Sequence, residues 1–402
     1  NKNFNNYFNN YFNNYYTNIG EKQIKLKTVL AVILFFKYKK IYSIILSIKT
    51  SLYTRNFYSF SDIFLKFYKY LPNNKLQQNI TESCNSIIKS TIDLRNNYEK
   101  HNTLPKNGYD ENQLIEKLTT FKNNNNIDLT KVSGKVYNKD DKLGEILGKI
   151  FPLFYKSNPL HPDIYPNITQ IECDIINICK NLYNGSSDSI GCISSGGTES
   201  ILLACLAYKN LGLKKNIVYP EIVLPSSAHA AFDKAAKYFN IKLVKIPYNN
   251  DSTIDLNLYK SCINSNTICL VCSAPSYNHG IIEPYHTIGS YGVKYGIPCH
   301  VDACLGGFIL PFLEDSYFSK NNIPRLDFKV PGITSISLDS HKYGYSPKGT
   351  SILLYSEKKY IHNQYFLEAN WSGGIYATST LSGSRSGNIL VLTWATLMYY
   401  GL

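Results

Sequence analysis

Residues 221–246 have the sequence EIVLPSSAHAAFDKAAKYFNIKLVKI and contain the pattern that decides the fold. A β-rich apolar run at 221–224 is followed by a helical stretch at 228–239 and by a second β-rich run at 242–246. Strands that are joined by a helix pair in parallel, because the crossover returns the chain to the edge where it started. The stretch therefore predicts one β–α–β unit.

The same alternation continues on the C-terminal side of this unit, with helices near 256–263 and around 288–295. Further strands are predicted at 267–272, 299–302, 334–338 and 351–355. Such alternation predicts an α/β fold with a mostly parallel sheet and helices on both faces. Ligands of such sheets bind in loops at the carboxyl ends of the strands.

The composition is that of a globular protein, with 44% hydrophobic and 18% charged residues in 402. A formal charge of +13 indicates either anionic partners or a solvated basic surface in a chain biased toward Lys and Asn. We expect no nucleic-acid partner, because no zinc-finger spacing, Arg-rich stripe or RNA-binding signature accompanies the charge.

The ten cysteines form no disulfide framework, which favours a reducing compartment. Cys269 and Cys272 have the C-x-x-C spacing, but they lie in the apolar run TICLVC, which is typical of a buried strand. Redox and metal motifs usually open a helix or a turn. We therefore predict core packing for this pair and no metal site.

The composition divides the chain into four parts. They are a low-complexity Asn and aromatic segment at 1–20, an apolar segment at 21–50, a helical N-terminal region at 51–131 and the α/β domain at 132–402. Both ends are expected to be cut, because the chain begins with Asn1 and stops at Leu402 inside a helical pattern.

The apolar segment is a candidate for membrane association. Its two apolar runs, 28–36 and 41–48, are separated by lysines. A spanning helix needs about 20 apolar residues, so the split favours an interfacial helix or an imperfect anchor. The alternative is an amphipathic helix that packs on the domain.

Three loops at the predicted carboxyl edge contain residue types of a ligand site. In 194–200 (SSGGTES), glycines allow close backbone approach, and the helix that follows offers unpaired N–H groups suited to phosphate. Asp302 ends a strand, and Lys342 in 339–344 (DSHKYG) follows one, where partial desolvation would lower its pKa. Each feature has a structural alternative when it is taken alone. The glycine loop could be a turn with an N-cap, Asp302 a capping residue and Lys342 a surface lysine.

Together, the loops contain the groups that pyridoxal phosphate needs. This cofactor requires an amine for its aldehyde, a carboxylate at its pyridine nitrogen, a phosphate cradle and a group that stacks on its ring. In chain order, the sequence offers Gly196, Gly197 and Thr198 for the phosphate, His229 for stacking, Asp302 as the carboxylate and Lys342 as the amine.

This order resembles that of fold-type-I pyridoxal-phosphate enzymes of the amino-acid decarboxylase group, and within it the sphingosine-1-phosphate lyases. The matching stretches are LHPDIYP at 160–166, SGGTESI at 195–201, AHAAF at 228–232, HVDACLGGF at 300–308, HKYGY at 341–345, GGIYA at 373–377 and GSR at 383–385. The resemblance runs from about Val132 to the end of the chain, so it implies a cofactor-binding catalytic domain at 132–402.

The resemblance implies a role for each cofactor residue. Lys342 would hold the cofactor covalently until the substrate amine displaces it, and Asp302 would keep the pyridine nitrogen protonated. His229 would stack on the ring. The implied phosphate ligands are Gly196, Gly197 and Thr198, with His341 as a further contact.

The implied reaction is a retro-aldol cleavage of a phosphorylated sphingoid base. A base removes the proton of the 3-hydroxyl, and the C2–C3 bond opens to a fatty aldehyde and, after reprotonation, phosphoethanolamine. Candidates for the base are Lys342, His229 and Tyr376, by position only. Arg385 is either a bidentate ligand of the substrate phosphate or part of a structural salt bridge.

The chain departs from the family pattern at Lys135, where alanine is usual, and at Asn278, where proline is usual. Lys135 would alter substrate binding or reach solvent. The family continues beyond the equivalent of Leu402 with a small C-terminal domain, so a C-terminally truncated fragment, poorly active or unstable, is expected. Family resemblance also implies a homodimer at the endoplasmic reticulum membrane, with the catalytic domain facing the cytosol.

Three other functions are considered. An amino-acid decarboxylase would use the same cofactor and release carbon dioxide instead of an aldehyde. A truncated, membrane-associated remnant would bind cofactor without turnover. The third alternative, a nucleic-acid-binding protein, is supported by the net charge alone. Its affinity for nucleic acid would fall steeply with added salt.

Overall fold

The structure is a computed structural model that describes residues 75–95, 101–124, 128, 131–132, 134–138 and 140–401. The predicted segments at 1–20 and 21–50 lie outside the described residues. Within the described part, no helix combines the length and apolar character that a membrane crossing requires. The chain divides into two compact units, 1–127 and 128–402.

Two helices are described in the first unit, α1 (Lys75–Arg95) and α2 (Glu111–Asn123). A capping box begins α2. The Asp110 carboxylate accepts a hydrogen bond from the Gln113 N–H at 2.9 Å, and the Gln113 side chain accepts one from the Asp110 N–H at 3.1 Å. Such reciprocal bonds satisfy two N–H groups that a helix start leaves unpaired.

The second unit contains the α/β domain. In chain order its elements are α3 (Asp141–Phe154), α4 (Pro166–Leu182), β1 (Ile190–Ser194), α5 (Gly197–Lys214), β2 (Glu221–Pro225), α6 (Ala231–Phe239), β3 (Lys242–Ile246), α7 (Leu256–Ser261), β4 (Thr267–Ser273), α8 (Tyr285–Tyr295), β5 (Cys299–Asp302), a 3-10 turn (Leu310–Phe312), α9 (Asp315–Lys320), β6 (Ile333–Leu338), β7 (Ser351–Tyr355), α10 (Lys358–Ile361), β8 (Phe366–Trp371), β9 (Gly374–Thr378) and α11 (Gly387–Tyr400).

The central sheet has the strand order β1-β7-β6-β5-β4-β2-β3. β3, β2, β4, β5 and β6 are parallel neighbours, while β7 runs antiparallel to both β6 and β1. The carboxyl ends of the parallel strands and of β1 therefore lie at one edge, together with the start of β7. The predicted α/β fold with a mostly parallel sheet is confirmed.

Hydrophobic clusters cover both faces of the sheet. Because side chains alternate along a strand, Cys272 packs in the cluster with α4, α8 and α11, whereas Cys269 packs in the cluster with α5 and α6. Both cysteines are buried free thiols. The prediction that this C-x-x-C is core packing is confirmed, since the two sulfurs belong to opposite faces.

Candidate active site

The carboxyl edge of the sheet brings the predicted loops together. Loops leave this edge after β1 (195–197), β2 (226–230), β5 (303–304) and β6 (339–342). The loop at 195–197, which is predicted to bind phosphate, is called the phosphate loop below. The strand order places this loop, the Lys342 loop, Asp302 and the His229 loop in that sequence along the edge. Residues separated by more than a hundred positions in the chain therefore share one site.

Gly197 brings the phosphate loop into contact with the neighbouring loops. A Cβ atom on Gly197 would lie 2.7 and 2.8 Å from the carboxylate oxygens of Asp339 and 2.8 Å from the Cys304 sulfur. Any side chain would collide there. Gly196, with φ 155°, adopts a conformation that other residues rarely adopt. The two glycines thus allow α5 to present its free N–H groups at the edge.

Glu199, which the sequence did not assign a role, holds the phosphate loop in shape. Its buried Oε2 accepts hydrogen bonds from the Ser195 N–H at 2.7 Å and from the Ser195 hydroxyl at 2.5 Å. Oε1 accepts one from the Leu381 N–H at 2.9 Å. The carboxylate therefore fixes the turn before Gly196 and joins it to the segment after β9.

Lys342 forms an ion pair with Asp339, whose Oδ2 lies 2.9 Å from Nζ. Burial is the largest single influence and lowers the pKa of Lys342. The charge and hydrogen bond of Asp339, with contributions from Cys304 and Asp302, together more than offset it, so the pKa lies above its usual value. Desolvation therefore acts on Lys342 in the expected direction, but the net pKa is raised, because the expectation did not include Asp339 three residues before the lysine.

Asp339 has one carboxylate oxygen in use and one free. Oδ2 contacts Lys342 and lies 3.8 Å from Nε2 of His341, while buried Oδ1 has no hydrogen-bond partner among the described residues. An unpartnered buried acceptor costs free energy. His341 itself donates from Nδ1 to the Thr350 carbonyl at 2.9 Å. Asp339 thus offers an acceptor beside Gly197 that a ligand can use.

Asp302 ends β5 and is 7% exposed. Its Oδ1 accepts a hydrogen bond from the Cys304 N–H at 3.0 Å and a longer one from the Ser337 hydroxyl at 3.4 Å. Both contacts use one oxygen, so the carboxylate is held in place with Oδ2 left for a ligand. Nearby His300 is buried, which lowers its pKa to about 4 and keeps it neutral.

His229 is exposed on the loop after β2. Its Nδ1 accepts a hydrogen bond from the Ala231 N–H at 3.1 Å, which places the proton of the neutral ring on Nε2. Two residues earlier, the Ser227 hydroxyl donates to the buried carboxylate of Glu283 at 2.8 Å. The sequence did not identify Glu283.

The two predicted substrate residues, Arg385 and Tyr376, have other side-chain partners. Arg385 makes a bidentate ion pair with Glu172 at 2.9 and 3.1 Å, and Nη1 also donates to the Ile193 carbonyl. This geometry favours the structural salt bridge, and phosphate binding by Arg385 stays a prediction. Tyr376 lies in the β8–β9 hairpin, edge-on to Trp371. Among the described residues, no contact joins either residue to Lys342.

Aromatic rings stand beside Lys342. Tyr137 and Tyr343 pack edge to face with ring centres 5.3 Å apart, and the Lys348 ammonium lies 5.8 Å from the Tyr137 ring centre. Burial raises the pKa of Tyr137, and the nearby charge of Lys342 opposes the increase. Lys135, in the same segment, is exposed and reaches solvent.

Comparisons with known proteins identify the family of the chain. A sequence model of the family described as "Pyridoxal-dependent decarboxylase conserved domain" matches residues 135–402. The chain is 45% identical over 331 residues to "Sphingosine-1-phosphate lyase 1" of Rattus norvegicus, which covers 81% of this chain and 57% of the relative. It is 41% identical over 335 residues to the Saccharomyces cerevisiae "Sphingosine-1-phosphate lyase", covering 81% of this chain and 55% of the relative. The chain therefore spans little more than half the length of these curated relatives.

Solved structures show the same fold. A sphingosine-1-phosphate lyase of Burkholderia pseudomallei superimposes with a TM-score of 0.71 at 33% identity, covering 76% of this chain and 72% of that one. A glutamate decarboxylase of Lactobacillus brevis superimposes with a TM-score of 0.62 at 19% identity, covering 75% and 70%. The second likeness shows the fold alone.

Proposed function

Because the chain belongs to the pyridoxal-dependent decarboxylase family, we propose that it is the catalytic part of a sphingosine-1-phosphate lyase. The substrates are sphingosine 1-phosphate and its dihydro form, and the products are a fatty aldehyde and phosphoethanolamine. The observation that supports the proposal best is the convergence of Lys342, Asp302 and Gly197 at one sheet edge, in a chain 45% identical to a rat protein of that name.

The residues at this edge fit pyridoxal 5'-phosphate. The space at Gly197 admits no side chain, which suits close approach of a phosphate to the N-terminus of α5. Asp302 is held by one oxygen, and Oδ1 of Asp339 lacks a partner among the described residues. When bound, the cofactor supplies a ring that accepts the electron pair of the breaking carbon–carbon bond.

The chain's own residues hold the cofactor and move the protons. Lys342 provides the amine that binds the aldehyde, and its nitrogen becomes nucleophilic only after losing the proton that Asp339 stabilises. Asp302 would keep a proton on the ring nitrogen when the cofactor is bound. His229 would stack on the ring, and Gly196, Gly197, Thr198 and His341 would hold the phosphate. As bases for the substrate hydroxyl, Lys342 and His229 have support from their place at the edge.

The aromatic rings next to Lys342 support a lipid substrate. Tyr137 and Tyr343 present apolar ring faces with polar hydroxyls, which suits a molecule with a charged head and an apolar chain. An amino acid, the substrate of the decarboxylase alternative, has no long apolar chain to place against such a surface. This difference favours the lyase over the decarboxylase.

The first test is a product assay. With pyridoxal phosphate and sphingosine 1-phosphate, we expect the protein to release fatty aldehyde and phosphoethanolamine in equal amounts, measured by mass spectrometry. Amino acids serve as the parallel substrates, and carbon dioxide is measured there. Carbon dioxide without aldehyde would establish the decarboxylase. Bound cofactor with neither product would establish the non-catalytic alternative.

We also propose that the protein is a homodimer and that the β8–β9 hairpin lies at its interface. The hairpin exposes large apolar side chains to solvent. They are Phe366 (55% exposed), Leu367 (66%), Trp371 (56%) and Ile375 (77%). Monomeric proteins rarely leave contiguous apolar patches uncovered, and a second copy offers the same apolar surface.

Light scattering coupled to gel filtration tests the dimer. The native protein should have twice the chain mass, and Trp371→Lys combined with Ile375→Lys should shift it to the monomer, because charges at an apolar interface are costly to bury. Val218→Lys, at an exposed apolar residue of the α5–β2 loop, is the matched control and should stay dimeric. A monomeric native protein would contradict the proposal.

Association with the endoplasmic reticulum membrane is part of the same proposal. Its support is the apolar runs at 28–36 and 41–48, which lie outside the described residues, together with the lipid character of the proposed substrate. An interfacial segment at this position would place the catalytic unit on the side where a phosphorylated lipid headgroup is accessible.

A further inference from the structure

Glu283 lies between β4 and α8, and its carboxylate is buried between two loops of the carboxyl edge, with 3% of the residue exposed. Oε1 accepts a hydrogen bond from the Ser227 hydroxyl at 2.8 Å, and Oε2 accepts one from the Ser273 N–H at 2.6 Å. The Glu283 N–H also donates to the Ser273 carbonyl at 3.0 Å. One residue therefore binds both the end of β4 and the loop after β2.

Each of the two serines is close to one of the proposed cofactor residues, in the chain or in the sheet. Ser227 is two positions before His229, on the same loop. Ser273 pairs with Asp302 in the β4–β5 register, and the N–H of Ala274 donates to the Asp302 carbonyl at 2.9 Å. Glu283 thus connects the loop of the stacking histidine with the strand that ends at the carboxylate.

The pKa of Glu283 differs from those of the neighbouring ionisable groups Cys272 and Tyr285. Burial raises the pKa of Glu283 to about 7, hydrogen bonds from Ser273 and Ser227 lower it in part, and the charge of Asp302 raises it further. Cys272 on β4 and Tyr285 on α8 have pKa values raised by burial, so neither changes charge near neutrality. Of these three groups, only Glu283 has a pKa near neutrality.

We propose that Glu283 is a positioning residue of the cofactor site, holding the His229 loop against the Asp302 strand and adding a negative charge behind Asp302 when it ionises. The inference rests on the proposed function in one respect, that the cofactor occupies this edge. A charged Glu283 strengthens the field that keeps the ring nitrogen protonated, and a neutral Glu283 weakens it. The residue acts through His229 and Asp302 and does not touch the reacting atoms.

Glu283→Gln removes the ionisable group of Glu283 while nearly preserving the shape and hydrogen bonds of its side chain. The amide oxygen can accept from the Ser273 N–H, and the amide NH₂ can donate to the Ser227 hydroxyl, so both contacts survive while the ionisation is lost. Ser227→Ala does the opposite, because it keeps the carboxyl and removes a hydrogen bond that lowers the Glu283 pKa.

The experiment follows the absorption band of bound pyridoxal phosphate as pH is raised from acid to alkaline. The native protein should show a transition with a midpoint near 7, Glu283→Gln should lack it, and Ser227→Ala should move it to higher pH. Glu283→Ala, which removes both contacts, should weaken cofactor binding about tenfold in equilibrium dialysis. Glu357→Gln, at a half-exposed glutamate paired with Lys359, is the matched control and should behave like the native protein.

The outcomes distinguish this inference from the proposed function. A native protein that binds no pyridoxal phosphate would contradict the cofactor site itself. A native protein that binds it and shows the same midpoint in Glu283→Gln and Ser227→Ala would overturn the role of Glu283 alone. Ser227→Ala keeps the test decisive where Glu283→Gln does not fold.

Discussion

Lys342→Ala is expected to yield a protein that forms no borohydride-stable adduct with pyridoxal phosphate and releases no detectable aldehyde. The variant lacks the amine that we propose binds the cofactor aldehyde, and removal of a covalent catalyst typically costs at least about 10³-fold in rate. The measurement is borohydride reduction followed by peptide mapping, with the aldehyde assay in parallel. In the native protein, the adduct should map to Lys342.

The control for this variant has to separate lost chemistry from lost folding. Removing Lys342 leaves the buried Asp339 carboxylate without its ion-pair partner, which costs about 3–5 kcal/mol at buried sites. Thermal unfolding should therefore show a lower Tm for Lys342→Ala, and adding Asp339→Asn should recover part of it without restoring the adduct. Lys245→Ala, at an exposed lysine 2.7 Å from Asp233, should keep both stability and adduct. An adduct trapped on the Lys342→Ala protein would contradict the assignment.

Most strands that the sequence predicted are buried along their whole length. β2, β4 and β7 are short runs rich in apolar residues, and every residue in them is buried. The exception is β3 at the edge of the sheet, which was predicted although most of its residues are only partly buried. β1 was missed because its sequence, IGCIS, has no long apolar run. Gly191 is required there, since an added Cβ would lie 2.8 Å from the Leu353 carbonyl oxygen of β7. The need for glycine at this position depends on contact with β7, which is distant in the sequence.

The β8–β9 hairpin was missed for a different reason. Strand prediction relies on apolar residues that alternate with polar ones on a half-buried sheet. β8 has the sequence FLEANW, and all its residues are exposed. β8 therefore has no buried face in this chain that an alternation of apolar and polar residues could indicate. A pattern set by contact with a second copy would escape prediction from one chain in the same way.

The candidate site was predictable where each residue follows a strand. Asp302 and Lys342 were identified because carboxyl ends of parallel strands collect ligands. Their partners were harder to find. The Asp339–Lys342 pair has an i, i+3 spacing in the sequence, which was a usable signal, but Glu199 reaches Leu381 and Glu283 reaches Ser227 across chain separations that no local motif encodes.

Asp302→Asn is expected to keep the covalent adduct on Lys342 and to lower the rate of aldehyde release on the order of 10²–10³-fold, the loss typical when one preorganised charge is removed from a reacting centre. Asparagine retains an oxygen that can accept from the Cys304 N–H, so the strand end should stay in place. It cannot carry the negative charge that holds a proton on the ring nitrogen. Single-turnover aldehyde release and borohydride trapping measure the two effects separately.

Asp233→Asn is the matched control, because Asp233 is an exposed carboxylate on α6 that pairs with Lys245. It should leave both measurements unchanged. A variant that keeps the adduct and loses cleavage would separate attachment of the cofactor, which we propose depends on Lys342 and the phosphate loop, from electron withdrawal, which we propose depends on Asp302. A native rate in Asp302→Asn would instead mean that this carboxylate serves only to fix Cys304 and the end of β5.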